Sequence, residues 1–175
     1  VESQVRELSD LLVAMANKVE DQTFQLIARF QPVASDLRAI KSYMKIGNDF
    51  ARYGRYALDI AYINDKISGL KECEASTVEY IHQMSDKVLS MGRVSVDPVK
   101  TQDIAWSKGI WQIERKVDKM YLTYLGKLIN EEQANSRCVL SSALMARYLE
   151  RIADHAVYVC ESIVYVVTGE KVALG

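Results

Sequence analysis

The sequence predicts an all-α protein in which antiparallel helices pack as a bundle. The 175-residue chain has only two prolines and eight glycines, so long stretches lack a residue that breaks helices. In these stretches apolar residues recur at alternating steps of three and four, which places them on one helical face. No comparable stretch shows the period of two that a half-buried strand requires.

Five apolar stripes follow one another along the chain, and each predicts a helix. The first two contain Val5, Leu8, Leu12, Met15 and Val19, then Ile40, Met44, Phe50, Tyr53, Ala57 and Ile60. The last three contain Val78, Ile81, Met84, Val88 and Met91, then Ile110, Ile113, Val117, Tyr121, Tyr124 and Leu128, then Leu149, Ile152, Ala156, Val159, Ile163 and Val166.

Local chemistry predicts where the first two helices end. Pro32 follows Gln31 and ends the first helix, and Ser35 or Asp36 is a suitable N-cap for the second. Gly69, a few residues after Asn64 and Asp65, marks the next break.

The later boundaries are predicted in the same way. Asp97 followed by Pro98 is typical of an N-cap with proline in the first turn, so we expect a helix to begin there. Residues 130–136 form a polar turn, and Gly169 closes the last helix. The result is five or six helices with short connections, which favour antiparallel neighbours in a bundle.

Composition excludes several classes of protein. Hydrophobic residues make up 49% and charged residues 26%, with a formal net charge of −1, so neither nucleic acid nor a membrane surface is indicated as a partner. No apolar run is long enough to span a membrane. The three cysteines have no metal-ligand spacing, so we expect no disulfide framework or zinc ribbon, a reducing compartment, and buried thiols at Cys138 and Cys160.

The chain contains an internal repeat. The segment that begins at Met15 matches the segment at Met84, an offset of 84 − 15 = 69, and Phe50 with its neighbours matches Leu149, an offset of 149 − 50 = 99. The first half is therefore shorter by 99 − 69 = 30 residues, about one helix. Either the first repeat lacks a helix, or a segment near residues 19–21 is absent from the sequence as given. The intact mass distinguishes the two, since the given sequence corresponds to 19.8 kDa.

Two pairs of carboxylates are candidate metal ligands. Glu114 and Asp118 are four residues apart on one predicted helix, and Glu150 and Asp154 on another. This spacing places each pair on one face, beside the apolar stripe, so that all four converge if the helices pack together. Converging carboxylates require a cation or raised pKa values. Oxygen ligands suit magnesium, calcium, manganese or iron, although such pairs more often form a solvated face.

Four segments resemble the PhoU family. The segment 29–38 (RFQPVASDLR) resembles the family's entry into a central helix, and 146–156 (ARYLERIADHA) resembles its Leu-Glu-Arg-Ile-Gly-Asp motif. Residues 163–170 are similar to the closing helix, and residues 116–118 fit the helix that precedes the second motif. The resemblance covers most of the chain in order.

The resemblance implies two tandem three-helix repeats, which we place at residues 1–68, shortened by about one helix, and at residues 69–175. It implies a cytoplasmic, non-enzymatic, homodimeric regulator that docks onto a phosphate ABC transporter ATPase or a sensor histidine kinase and lowers phosphate uptake and signalling. It also implies an iron, zinc or magnesium cluster at Glu114, Asp118, Glu150 and Asp154. Catalytic and other cofactor-binding residues are not expected.

The first repeat departs from the family pattern. Ala51 and Arg55 stand where Glu and Asp are expected, so we predict at most one metal cluster, in the second repeat. Two other functions stay open: a PhoU-like module of a larger transcriptional or ion-transport regulator, and an enzyme with a carboxylate-bridged metal. The second is disfavoured because the sequence offers no nucleophile constellation.

Overall fold

A computed structural model of the chain describes residues 1–67, 69–105, 107–130 and 135–173. The described residues form five α-helices and no strand, which confirms the predicted all-α bundle. The helices are α1 (Glu2–Phe30), α2 (Ala34–Lys66), α3 (Ala75–Thr101), α4 (Ser107–Ile129) and α5 (Ser136–Thr168).

Two long helices, α2 and α5, form the centre of the bundle. They pack against each other, α1 packs on α2, and α3 and α4 pack on α5 and on each other. α2 and α5 are antiparallel: Tyr56 of α2 stacks on Tyr148 of α5, whereas Asp49, earlier on α2, contacts His155 further along α5. The chain thus has a two-helix part followed by a three-helix part.

The main hydrophobic core lies in the three-helix part. Met84 and Met91 of α3, Val117 and Tyr124 of α4, and Ala153 of α5 are almost fully buried in it. A second, smaller cluster lies between α2 and α5. By contrast, the buried residues of α1 are two polar ones, Ser9 and Thr23, so α1 contributes little to either core.

Close packing of α1 on α2 depends on a glycine. A Cβ at Gly54 would lie 2.9 Å from Cδ1 of Leu12 and 3.0 Å from the Cα of Ser9. No side chain fits at this position without displacing the α1 backbone. The small residue therefore sets the distance between the two helices.

Most predicted boundaries are confirmed. α1 ends at Phe30, followed by Gln31 in the left-handed conformation, α2 ends at Lys66, and Gly169 closes α5 with a φ of 80°. The predicted caps Ser35 and Asp36 instead lie in the first turn of α2, whose N-cap is Val33 without a side-chain hydrogen bond.

The predicted helix start at Asp97 and Pro98 is wrong. Pro98 lies inside α3, which continues to Thr101. Proline in a helix interior costs about 3 kcal/mol, but here the steps of three and four run on through Met91, Ser95 and Pro98, all buried. Burial of this face keeps the chain helical for one more turn.

The expectation that the cysteines stay unpaired is also wrong. Cys73 and Cys138 form a disulfide although 65 residues separate them, and Glu72 lies beside them, paired with Arg137 at 3.3 Å. The turn that precedes α3 and the start of α5 meet at one end of the bundle, which sequence spacing does not reveal. Cys160 is a buried free thiol, as predicted.

The division into repeats at residues 1–68 and 69–175 stays a prediction, with α1 and α2 in the first part and α3 to α5 in the second. α1 continues without a break through residues 19–21. In the described part of the chain, none of the helices combines the length and apolar character needed to cross a membrane.

We predict that Gly54→Leu destabilises the protein by about 1–3 kcal/mol, because the added side chain has no space between α1 and α2. Thermal or urea unfolding measures this change. Gly92→Ala is the matched control, since a Cβ there meets no atom within 4 Å, and alanine stabilises a helix interior by about 0.5–1 kcal/mol. An unchanged Gly54→Leu variant would contradict the packing of α1.

Candidate functional site

The four predicted carboxylates lie along the contact between α4 and α5. Glu114 and Asp118 occupy one side of α4 and are half-buried, whereas Glu150 on α5 is only 8% exposed. Asp154 follows one turn later on α5. The apolar stripes of the two helices bring these faces together, because Val117 and Ala153 are both buried in the core beneath them.

The pKa values show that the carboxylates act on one another. Burial raises the pKa of Glu114, and the negative charges of Asp154, Asp118 and Glu150 raise it further. Burial also raises the pKa of Glu150, with a further contribution from Asp154. The pKa of Asp154 is raised by burial and, more weakly, by Asp118. The carboxylates of α4 and α5 therefore influence one another across the contact between the two helices.

Two arginines of α5 already neutralise part of this charge. Nη1 of Arg147 donates to both carboxylate oxygens of Glu150, at 2.7 and 2.6 Å, and Arg151 lies 3.5 Å from Asp154. The guanidinium of Arg147 also lies over the ring of Tyr121 on α4, 5.5 Å from its centroid. Arg147 thus bridges the two helices and lowers the pKa of Glu150 against the effect of burial.

The predicted metal cluster stays a prediction. Across the described ranges, no group of three or more His, Cys, Asp or Glu side chains is placed so that it could hold a metal ion. The donor types fit a hard cation, but Arg147 occupies both oxygens of Glu150. The geometry is that of an acidic seam partly neutralised by arginine.

In the first part of the chain, the corresponding face of α2 is different. Ala51 is half-buried and Arg55 is exposed; burial raises the pKa of Asp59, and the Arg55 charge opposes this rise. Ala51 and Arg55 thus place a methyl group and a cation at the repeat positions where α5 carries two carboxylates. This face offers no oxygen ligands at Ala51 and Arg55.

A buried polar link between α2 and α5 was missed from the sequence. Nδ1 of His155 lies 2.7 Å from Oδ1 of Asp49, which is 5% exposed, and Tyr56 and Tyr158 flank the imidazole. The other oxygen of Asp49 has no hydrogen-bond partner among the described residues. An aspartate on the core-facing side of a predicted helix was the available signal, because a buried carboxylate needs a partner.

These features define a class of protein: an all-helical module with two central helices and an acidic seam beside one of them. The PhoU domain family matches residues 3–63 and 81–163. The chain belongs to the PhoU family.

Individual relatives agree with this assignment. The chain is 32% identical over 169 residues to the phosphate-specific transport system accessory protein PhoU homolog of Clostridium acetobutylicum, covering 94% of this chain and 76% of that protein. It is 33% identical over 172 residues to the Pseudomonas putida homolog of the same name, covering 97% and 67%. The crystal structure of PhoU from Pseudomonas aeruginosa superposes with a TM-score of 0.87 at 29% identity, covering 97% of this chain and 82% of that one.

We predict that Glu114→Gln stabilises the metal-free protein at neutral pH, by no more than about 1 kcal/mol because water screens the seam. The pKa of Glu114 is raised in the folded state, so its ionised form opposes folding above that raised pKa. The gain should shrink as the pH falls through the raised pKa towards the ordinary glutamate value of 4.5.

Thermal unfolding in chelator at several pH values measures this effect. Glu7→Gln, on the exposed surface of α1, is the matched control. A destabilised Glu114→Gln protein at neutral pH would mean that Glu114 has a favourable partner rather than like-charged neighbours.

Proposed function

We propose that this protein is a non-enzymatic, cytoplasmic accessory of phosphate transport that lowers phosphate uptake and signalling by docking onto a partner. The partner is the ATPase of a phosphate ABC transporter or the sensor histidine kinase that responds to phosphate. The observation that supports this most strongly is family membership over nearly the whole chain, since the relatives are named as accessory proteins of phosphate-specific transport.

The physical character of the chain supports docking over catalysis. Its long helices are packed side by side and present extended faces, a form suited to helix-in-groove or face-to-face contact with other proteins. The net charge of −1 gives no general attraction to nucleic acid. A cytoplasmic location requires that the fold tolerate reduction of the disulfide between Cys73 and Cys138, because thiol-reducing systems keep such cysteines as free thiols there. A homodimer is expected from the family resemblance.

Deletion of the gene is the decisive functional test. We expect phosphate uptake in phosphate-rich medium to rise in the deletion strain and to return to the parental level when the wild-type chain is supplied. We also expect the tagged chain to co-purify with the transporter ATPase or the sensor kinase. Unaltered phosphate control in the deletion strain, with no association, would remove the proposal.

The acidic seam is the second part of the proposal. One cation, iron, zinc or magnesium, is held by Glu114, Asp118, Glu150 and Asp154, and it offsets the burial and the mutual repulsion that together raise the pKa values of three of these groups. Arg147 competes with the cation for Glu150. The cation supplies charge neutralisation across the α4–α5 contact rather than a reaction.

Elemental analysis after metal loading tests the seam. We expect Glu150→Ala/Asp154→Ala to lose the metal while circular dichroism shows an unchanged helix content. Arg147→Gln should bind metal more tightly than the wild type, because a competing cation is removed. Equal metal content in the wild type and in Glu150→Ala/Asp154→Ala would exclude this site, and Ala51→Glu is a control that should leave metal content unchanged.

A further inference from the structure

An apolar face of α1 lies open to solvent. Leu8 is 61% exposed, Leu11 and Met15 are each 55% exposed, and Leu26 is 44% exposed. The steps between these positions place them on one side of the helix, and we name them the α1 stripe. Single exposed apolar residues are ordinary, but several large ones on one side of a helix mark an interaction surface.

The internal repeat identifies what covers the equivalent face in the other half. An offset of 69 relates Leu11 to Tyr80 and Met15 to Met84 of α3. The Tyr80 hydroxyl donates to the Met120 carbonyl of α4 at 2.8 Å, and its ring stacks on Tyr124 of α4. Met84 has no exposed surface at all. In the three-helix part, α4 therefore covers Tyr80, whereas its counterpart Leu11 stays exposed on α1.

The neighbouring face of α2 is also partly exposed to solvent. An offset of 99 relates Ala51 to Glu150 and Arg55 to Asp154, the residues of α5 that face α4. Arg55 is exposed, and Ala51 is half-buried. α1 and α2 thus form two walls of a three-helix arrangement whose third member is lacking in the described chain.

We propose that the α1 stripe, together with the Ala51–Arg55 face of α2, binds one amphipathic helix of a partner protein in the position that α4 takes beside α3 and α5. The incoming helix places apolar side chains on Leu11 and Met15 and a carboxylate opposite Arg55. This inference rests on the proposed docking function and names the surface and the chemistry of the partner segment.

The charge of the face argues for an acidic helix. The repeat positions that are acidic on α5 are neutral or basic on α2. A carboxylate on the incoming helix therefore meets a cation here, whereas at the α4–α5 seam it meets other carboxylates. A second copy that docked by the same face would bring Arg55 to both sides of the contact, since such an interface uses one patch twice. Like charges across an interface disfavour that arrangement.

A peptide with the sequence of α4, Ser107–Ile129, is the probe, because it is the chain's own example of such a helix and contains Glu114 and Asp118. We expect saturable binding to the intact wild-type protein by fluorescence anisotropy. Leu11→Asp/Met15→Asp should weaken binding at least about tenfold, a loss of about 1.4 kcal/mol. Leu89→Asp, an equally exposed leucine on α3 outside the stripe, is the control and should bind like the wild type.

A charge exchange tests the orientation. Arg55→Glu should weaken binding of the α4 peptide, and a peptide with Glu114→Arg and Asp118→Arg should bind that variant more tightly than it binds the wild-type protein. Circular dichroism confirms that each variant keeps its helices. Absence of saturable binding, or equal binding by wild type and Leu11→Asp/Met15→Asp, overturns the proposal.

Two further results would also overturn it by naming another occupant. One is a wild-type dimer in sedimentation that becomes monomeric in Leu11→Asp/Met15→Asp. The other is an intact mass above 19.8 kDa by about one helix, since the chain would then cover the stripe itself.

Phosphate control in cells separates this surface from the proposed function. If deletion of the gene raises phosphate uptake and Leu11→Asp/Met15→Asp restores control fully, the surface is wrong and the function stands. If deletion has no effect while the peptide binds as expected, the surface stands and the function is wrong.

Discussion

The packing of α2 against α5 is the contact on which the other helices depend. α1 is positioned by α2, and α3 and α4 are positioned by α5, so a shift of this pair would move every other element. The contact combines apolar burial at Ile46, Val159 and Ile163 with the buried pair of Asp49 and His155. A buried polar pair is a weak source of stability, but it restricts the register in which two long helices can pack.

The central helices α2 and α5 are related by the internal repeat but carry different charges at equivalent positions. On α5, carboxylates and arginines alternate along the seam with α4, and the result is a compact, nearly compensated set of charges. On α2, the same repeat positions keep a cation and lose the carboxylates. The two central helices therefore present different charges at equivalent repeat positions.

Hydrophobic periodicity was sufficient to predict the five helices, and breakers such as Pro32 and Gly169 located several ends. The local signal of Asp97 and Pro98 for a helix start was misleading, because burial of one more turn outweighed the local preference of proline. Periodicity also could not pair Cys73 with Cys138, or assign Asp49 to His155, because both contacts depend on how distant helices pack. Spacing was sufficient to find the carboxylate pairs. It did not identify Arg147 as the partner of Glu150, because α5 is rich in charged residues and more than one of them lies within a turn of Glu150.

The disulfide makes the chain topologically uneven. Cys73 and Cys138 enclose α3 and α4 within a closed covalent ring of about 65 residues, whereas the α1–α2 hairpin lies outside it. Closing a ring of this size lowers the entropy of the unfolded chain by an amount worth about 4 kcal/mol. Reduction would remove this stabilisation from the part of the chain that contains α3 and α4, whereas α1 and α2 gain no ring closure of their own.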